Sequence, residues 1–392
     1  MIKLSAFLSQ NPWRGRRMRM TLFDPFKLGS LTLPNRFVRS ATWEGMCGAD
    51  GSPTQRLIDY YKILAKGGTG LIISGYTYIR EDGKQLPGKM GIHDDKMIPS
   101  LRALTEAVHR EGALTFCQLV HAGGQTSSKT IGSTPLAPSS IAFPSYGETP
   151  REMTEEQIHG VIEAFAAAAR RARDAGFDGV QLHGAHGYLI NQFLSPLMNT
   201  RRDSYGGTLE NRIRFLMETY TAVRQAVGPH FPVTIKLTAS DNLAGGFSLE
   251  EAVWVAQKLD QAGIDAIEVS SGSAASGTES PVRQGIDSEE TEAYNAPFAK
   301  AIRKNVHVPV MVVGGLRTCS VMERLLWEGE ADLFSLSRPL IREPDLVNRW
   351  RQDDSHRATC ISCNGCFKPG IKEGGICCVI DRIERNNKAP VI

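Results

Sequence analysis

No run of about 18 consecutive apolar residues occurs anywhere in the 392-residue chain, which excludes a long apolar membrane-spanning helix. A strong charge of either sign is also missing. The 45 Lys and Arg stand against 42 Asp and Glu, a formal net charge of +3, so no field forms that would favour nucleic acid at large. The opening stretch MIKLSAFLSQNPWRGRRMRM is not expected to act as a secretory leader, because its arginines come after a short apolar segment instead of ahead of a long one. Residues 1–21 are therefore expected to be a disordered extension outside the fold, with Met20 as an alternative start, and the protein is expected in the cytoplasm. What is present, 41% apolar and 22% charged residues with 38 Gly, belongs to an ordinary globular protein. The length suits two or three small domains, or one α/β barrel of about 250 residues or more.

From Leu22 onward one pattern repeats: a short apolar run, a Gly-rich or polar turn, then a helical stretch. The runs are Arg36–Thr42, Thr69–Gly75, Leu114–Leu119, Gly179–His183, Val233–Leu237, Ala266–Ser270, Val308–Val313 and Leu333–Ser337. Runs such as VPVMVV and GLIIS are continuously apolar, which suits parallel strands covered on both faces. Between them, Thr154-Glu155-Glu156-Gln157 and Ser248-Leu249-Glu250-Glu251 are capping boxes that open amphipathic helices. Ala175-Gly176 and Ala262-Gly263 supply left-handed helix stops. Eight strand–helix repeats predict a (β/α)8 barrel, a TIM barrel, over residues 22–350, with a Cys-rich tail over 351–392. The Ser/Pro/Gly-rich stretch after strand three, up to Pro150, is too long for an ordinary loop and is expected over the C-terminal face as a lid or hairpin.

Barrel enzymes work at the C-terminal ends of their strands. The fourth run leads into His183, His186 and Tyr188, two imidazoles and a phenol that could bind an anionic oxygen and donate a proton. A zinc pair, and with it a metal-dependent hydrolase, is the alternative, although H-x-x-H lacks the helical H-E-x-x-H arrangement. The third run ends in Gln118, and the fifth carries Lys236, a lysine in an apolar strand that needs an anionic partner. Gly314-Gly315 and Ser337-Arg338 close runs seven and eight, where barrels usually hold phosphate. A phosphate at one end, a cation, an amide and a His/His/Tyr cluster opposite together outline flavin mononucleotide.

HGAHGYLINQFLSPLMNTRRDSYGGTLENRIRF, with LFDPFKLGSLTLPNR, QLVHAGGQ, GGLRT and SLSRPLIREPDL, resembles the Old Yellow Enzyme family of NADH:flavin oxidoreductases, near its bacterial 2,4-dienoyl-CoA reductases. The resemblance implies FMN as cofactor and NAD(P)H as electron donor, with hydride passing from flavin N5 to an activated alkene of a small-molecule substrate. It implies that Ala41, Thr42 and Gly75 line the isoalloxazine, Gln118 bonds its pyrimidine edge, and Lys236 sits near N1. Gly314, Gly315, Ser337 and Arg338 would hold the phosphate, His183 and His186 the substrate carbonyl, and Tyr188 would donate the proton. Trp43 stands where other branches carry Thr, Cys or His, and Ser337 where glycine is usual. Dehydrogenation or demethylation, and nitro or quinone reduction, are alternatives on the same flavin. A homo-oligomer is expected.

Five of the eight cysteines, at 360, 363, 366, 377 and 378, form a tail of metal or iron–sulfur spacing. Cys360, Cys363, Cys366 and Cys377 are the candidate ligands of a 4Fe-4S cluster. Zinc, or a thiol cluster packed under the barrel, are the other readings. In the related reductases such a cluster serves an FAD half, so direct reduction of FMN by NAD(P)H is the expectation for this sequence. Cys47, Cys117 and Cys319 are expected to be buried packing residues.

Overall fold

The computed structural model describes residues 20–142 and 147–388, and the N-terminal extension expected from the sequence lies outside the described residues except for its last two. All eight expected strands form: β1 (Phe37–Arg39), β2 (Leu71–Ile73), β3 (Leu114–Val120), β4 (Gly179–Gly184), β5 (Val233–Thr238), β6 (Ala266–Ser270), β7 (Val310–Val313) and β8 (Leu333–Leu336). Each pairs in parallel with the next, and β8 pairs with β1, so the sheet closes into a barrel. The helices that follow β1 to β7 are α1 (Gln55–Lys66), α2 (Ile98–His109), α3 (Glu155–Asp174), α4 (Arg214–Val227), α5 (Leu249–Gln261), α6 (Ala296–Arg303) and α7 (Cys319–Trp327). Among the described residues no helix is long and apolar enough to cross a membrane.

Both expected capping boxes close: the side chains of Thr154 and Ser248 accept from the backbones of Gln157 and Glu251, whose side chains accept from the cap N–H in return. Such caps satisfy the orphan donors of a first turn and are each worth about 1 kcal/mol.

Alternation along the strands sorts residues into two cores. Val180, Leu182, Ile235, Leu237, Ile267, Val269, Val310 and Val312 point outward beneath the helices. Val38, Leu71, Ile73, Phe116, Ala266, Met311 and Leu333 point inward, against Leu28 and Leu33 of a β-hairpin (Phe26–Leu28 with Leu31–Leu33) that plugs the barrel floor. Two residues further along the inward rows the character changes to Gln118, Lys236 and Glu268, while Gln181 and His183 continue the row of β4. The floor is therefore apolar and the upper barrel polar, as a site at the C-terminal face requires.

The long connection after β3 carries a two-stranded parallel pair, Leu136–Ala137 with Arg151–Glu152, and is not a hairpin. Four of its residues, 143–146, fall outside the described residues. Cys117 is fully buried as expected, whereas Cys47 and Cys319 are only half-buried.

Candidate active site

A cavity of about 280 Å³ opens at the C-terminal ends of the strands. Ala41, Thr42, His183, His186, Tyr188, Lys236 and Ser337, all singled out from the sequence, line it. A narrower extension beside β7 and β8 is lined by Gly314, Gly315, Ser337 and Arg338. The two glycines are demanded by shape, since a Cβ on Gly314 would stand 2.6 Å from the Tyr294 ring and φ is positive at both.

The register of the barrel makes a buried polar ladder. Lys236 is the Cα partner of both Glu268 and His183, and Gln118 of Gln181. The Lys236 ammonium lies 3.4 Å from the Glu268 carboxylate and donates to Ser40 Oγ at 2.7 Å, while Ser40 donates to Glu268 Oε1 at 2.8 Å. Gln181 Nε2 donates to Glu268 Oε2 at 2.9 Å, and Gln118 Nε2 to Gln181 Oε1 at 2.6 Å. Glu268 is thus the anionic partner that Lys236 required. Burial still holds the Lys236 ammonium below the ordinary lysine range, with Glu268 opposing the shift.

His183, His186 and Tyr188 meet next to this ladder, at the end of β4. The two imidazoles stand edge-to-face with centroids 5.3 Å apart, and Tyr188 lies 4.6 Å from His183. His186 sits in the left-handed backbone region at φ 63, fixed by its N–H donating to Thr238 Oγ1 and by a 2.7 Å contact between Nε2 and Ser270 Oγ. Burial, with Lys236 as a second cause, pushes the His186 imidazole down to about 3; burial followed by His186, Lys236 and Lys89 pushes His183 well below its ordinary value. Both rings are neutral at working pH and able to present N–H donors. Because each histidine holds its proton less tightly folded than unfolded, stability is expected to fall as pH drops below about 6.5, by at most about 1.4 kcal/mol per pH unit for each ring, trimmed by solvent in the cavity. Urea midpoints at several pH values should show a shallower fall for His186→Asn than for the parent; equal slopes would remove His186 from this account.

Two expected residues are not on the cavity lining. Gly75 is packed beneath it: its N–H donates to Tyr61 Oη at 2.9 Å, and a Cβ would strike Glu44. Gln118 turns its amide toward Gln181, and its Oε1 has no partner among the described residues. Conversely, Tyr76, Gln85, Gln125 and Phe367 line the cavity without having been foreseen. Glu268 was legible by the argument that found Lys236, as a charge inside AIEVS. Gln85 sits in an irregular segment and Phe367 opens a short helix of the tail, Phe367–Lys372, and neither position carries a signal in the sequence.

The tail departs from expectation at one cysteine. Cys360, Cys363, Cys366 and Cys378 line one small cavity together with Arg338 and Arg342, and Cys377 is not among its walls. All eight cysteines are free. No group of three or more His, Cys, Asp or Glu among the described residues is arranged to hold a metal ion, which supports neither zinc at His183 and His186 nor a metal or cluster in the tail. Arg338 joins the tail to the phosphate end of the main cavity: it donates to Arg283 O, Ser362 O and Asn364 Oδ1.

The donor set fits a flavin nucleotide: an orphaned buried acceptor at Gln118, a cation at Lys236, and glycines with an arginine where a phosphate would sit.

The sequence profile of a family described as "NADH:flavin oxidoreductase / NADH oxidase family" matches residues 21–356. An NADH oxidase of Thermoanaerobacter brockii is 38% identical over 350 residues, 88% of this chain and 53% of that protein. A 2-naphthoyl-CoA reductase complex superposes with a TM-score of 0.86 at 30% identity, covering 95% of this chain and 58% of the other. An old yellow enzyme homologue from Zymomonas mobilis gives 0.73 at 31% identity, covering 85% and 93%. The chain spans just over half the length of the first two proteins.

Proposed function

Because the chain belongs to the NADH:flavin oxidoreductase / NADH oxidase family, in its Old Yellow Enzyme group, we propose that it reduces the activated C=C bond of an enone- or enoate-type substrate, with FMN as cofactor and NAD(P)H as donor. The observation that carries the proposal is the convergence of His183, His186 and Tyr188 on one cavity that Lys236 also lines.

FMN, when bound, supplies the hydride. Gly314, Gly315 and Arg338 would receive its phosphate, Gln118 its pyrimidine edge, and Lys236 the negative charge of the reduced ring. His183 and His186, as neutral N–H donors, grip the substrate carbonyl oxygen, where charge builds when hydride adds to the β-carbon. Such preorganised donors are worth roughly 3–4 kcal/mol apiece. Tyr188 Oη protonates the α-carbon. A phenol is acid enough because the enolate it meets is strongly basic.

The test is the visible spectrum of purified protein before and after anaerobic NADH or NADPH, followed by cyclohexenone. A yellow spectrum that bleaches and then returns on adding the enone supports the assignment. A protein that takes up no FMN overturns it.

The tail thiols support a second, separate proposal. A lone ion needs ligands converging at about 2.3 Å from one point, whereas a cluster spreads its thiolates over the corners of a cage; Cys360, Cys363, Cys366 and Cys378 share the walls of one cavity. We propose that these four hold an iron–sulfur cluster, with Arg338 and Arg342 offsetting its charge. Iron and acid-labile sulfide should fall sharply in Cys378→Ser and stay near parent levels in Cys377→Ser. Parent protein without either element would sink the idea.

A further inference from the structure

Lys89 is the one lysine besides Lys236 that the described structure buries, at 1% exposure. It lies in the irregular segment between β2 and α2, and no carboxylate among the described residues pairs with it. Its Nζ donates to Gln85 Oε1 at 3.1 Å and rests 3.4 Å over the Tyr76 ring. The same Gln85 oxygen accepts from Tyr188 Oη at 2.7 Å, and the lysine nitrogen stands 5.4 Å from the centroid of the Tyr188 ring. One amide oxygen therefore fixes both the phenol and the ammonium, and the aromatic face below fixes the ammonium again.

A buried cation with no anion beside it is costly, and the surroundings hold the Lys89 ammonium well below the ordinary lysine range through burial. An anion does form there during turnover. When Tyr188 gives its proton to the substrate α-carbon, the O–H bond breaks, a C–H bond forms, and the phenolate is left next to Gln85 and Lys89. We propose that Lys89 is a positioning residue for the proton step, acting on Tyr188 as the counter-cation of its phenolate and, through Gln85, holding the phenol in place. The proposal rests on Tyr188 being the proton donor. The phenolate regains its proton from solvent before the next turnover, so Lys89 gives up nothing in the balance. The other titratable groups around Tyr188 are Tyr76, His183, His186 and Lys236; burial disfavours the charged form of both imidazoles, and Lys236 is paired to Glu268.

The test uses FMN-loaded enzyme, with the two half-reactions followed separately by stopped flow. In Lys89→Met, reoxidation by cyclohexenone should slow by roughly 10–100-fold, its pH profile should move to higher pH, and bleaching by NAD(P)H should serve as an unchanged control. Lys89→Arg should recover part of the lost rate. A readout free of turnover is the ultraviolet titration of tyrosinate, taken as the difference from Tyr188→Phe: the Tyr188 component should shift to higher pH in Lys89→Met. Reoxidation and titration both unchanged in Lys89→Met would overturn the proposal, as would equal slowing of both half-reactions, which marks a merely structural lysine. If instead Tyr188→Phe reoxidises at the parent rate, the assignment of the proton donor has failed, and the tyrosinate titration still reports whether Lys89 acts on Tyr188.

Discussion

Tyr188→Phe is expected to leave bleaching of the flavin by NAD(P)H intact and to slow reoxidation by an enone by roughly 10²–10⁴-fold, equivalent to about 2.7–5.4 kcal/mol of barrier. The substitution deletes one oxygen from a ring that stays packed against His183 and Tyr76, so the cavity keeps its shape. In the ground state it costs the hydrogen bond to Gln85, worth about 1 kcal/mol. What disappears is the acid. His183 and His186 cannot replace it, because each is held neutral and is occupied with the carbonyl oxygen in the proposed pose. The loss should fall on kcat with little change in KM, since the phenol matters in the transition state and hardly at all in binding. A quinone probe makes a useful contrast. Its reduction places protons on oxygens that exchange with water, so the same variant should reduce it at close to the parent rate. An enone reoxidation rate within about threefold of the parent would take Tyr188 out of the mechanism.

What was legible beforehand followed from how local each feature is. Eight buried strands announce themselves as continuous apolar runs, and the two capping boxes need only four consecutive residues each, so sequence and structure agree on them. Lys236 was visible because a charge inside such a run demands explanation, and Glu268 obeys the same rule one strand later. Gln85 and Lys89 were invisible for the opposite reason. Their segment has no period, and their role arises from a tertiary meeting with Tyr188, about a hundred residues away in the chain. Phe367 was hidden in the same way: nothing in a cysteine-rich tail says that its one phenylalanine will return to the barrel mouth. Gly75 was placed by resemblance alone and Gln118 by its place at the end of the third run, and neither says which way a backbone or an amide faces. The choice between Cys377 and Cys378 is of that kind too, since adjacent residues at a helix start point in different directions.

Glu268→Met is expected to cost about 3–5 kcal/mol of folding stability, the usual penalty for stranding one member of a buried ion pair. Lys236 would lose its carboxylate partner, Ser40 its acceptor and Gln181 the acceptor for its Nε2, all at positions that water reaches poorly. Burial already depresses the Lys236 ammonium, and without the opposing pull of Glu268 it would shed its proton more readily still. The double variant Lys236→Met, Glu268→Met separates stability from function. Removing both charges together removes the stranded cation, so urea unfolding should place it much closer to the parent than to the single variant. Its flavin should nevertheless be harder to reduce, with a lower midpoint potential, because no cation remains beside the ring position that becomes negative. A single variant that loses less than about 1 kcal/mol would mean that the pair is solvated or dispensable. A double variant with the parent's potential would move Lys236 away from the flavin. On the proposed reading the ion pair is kept for what it does to the cofactor, since two methionines of similar length could fill the same space at little or no cost in stability.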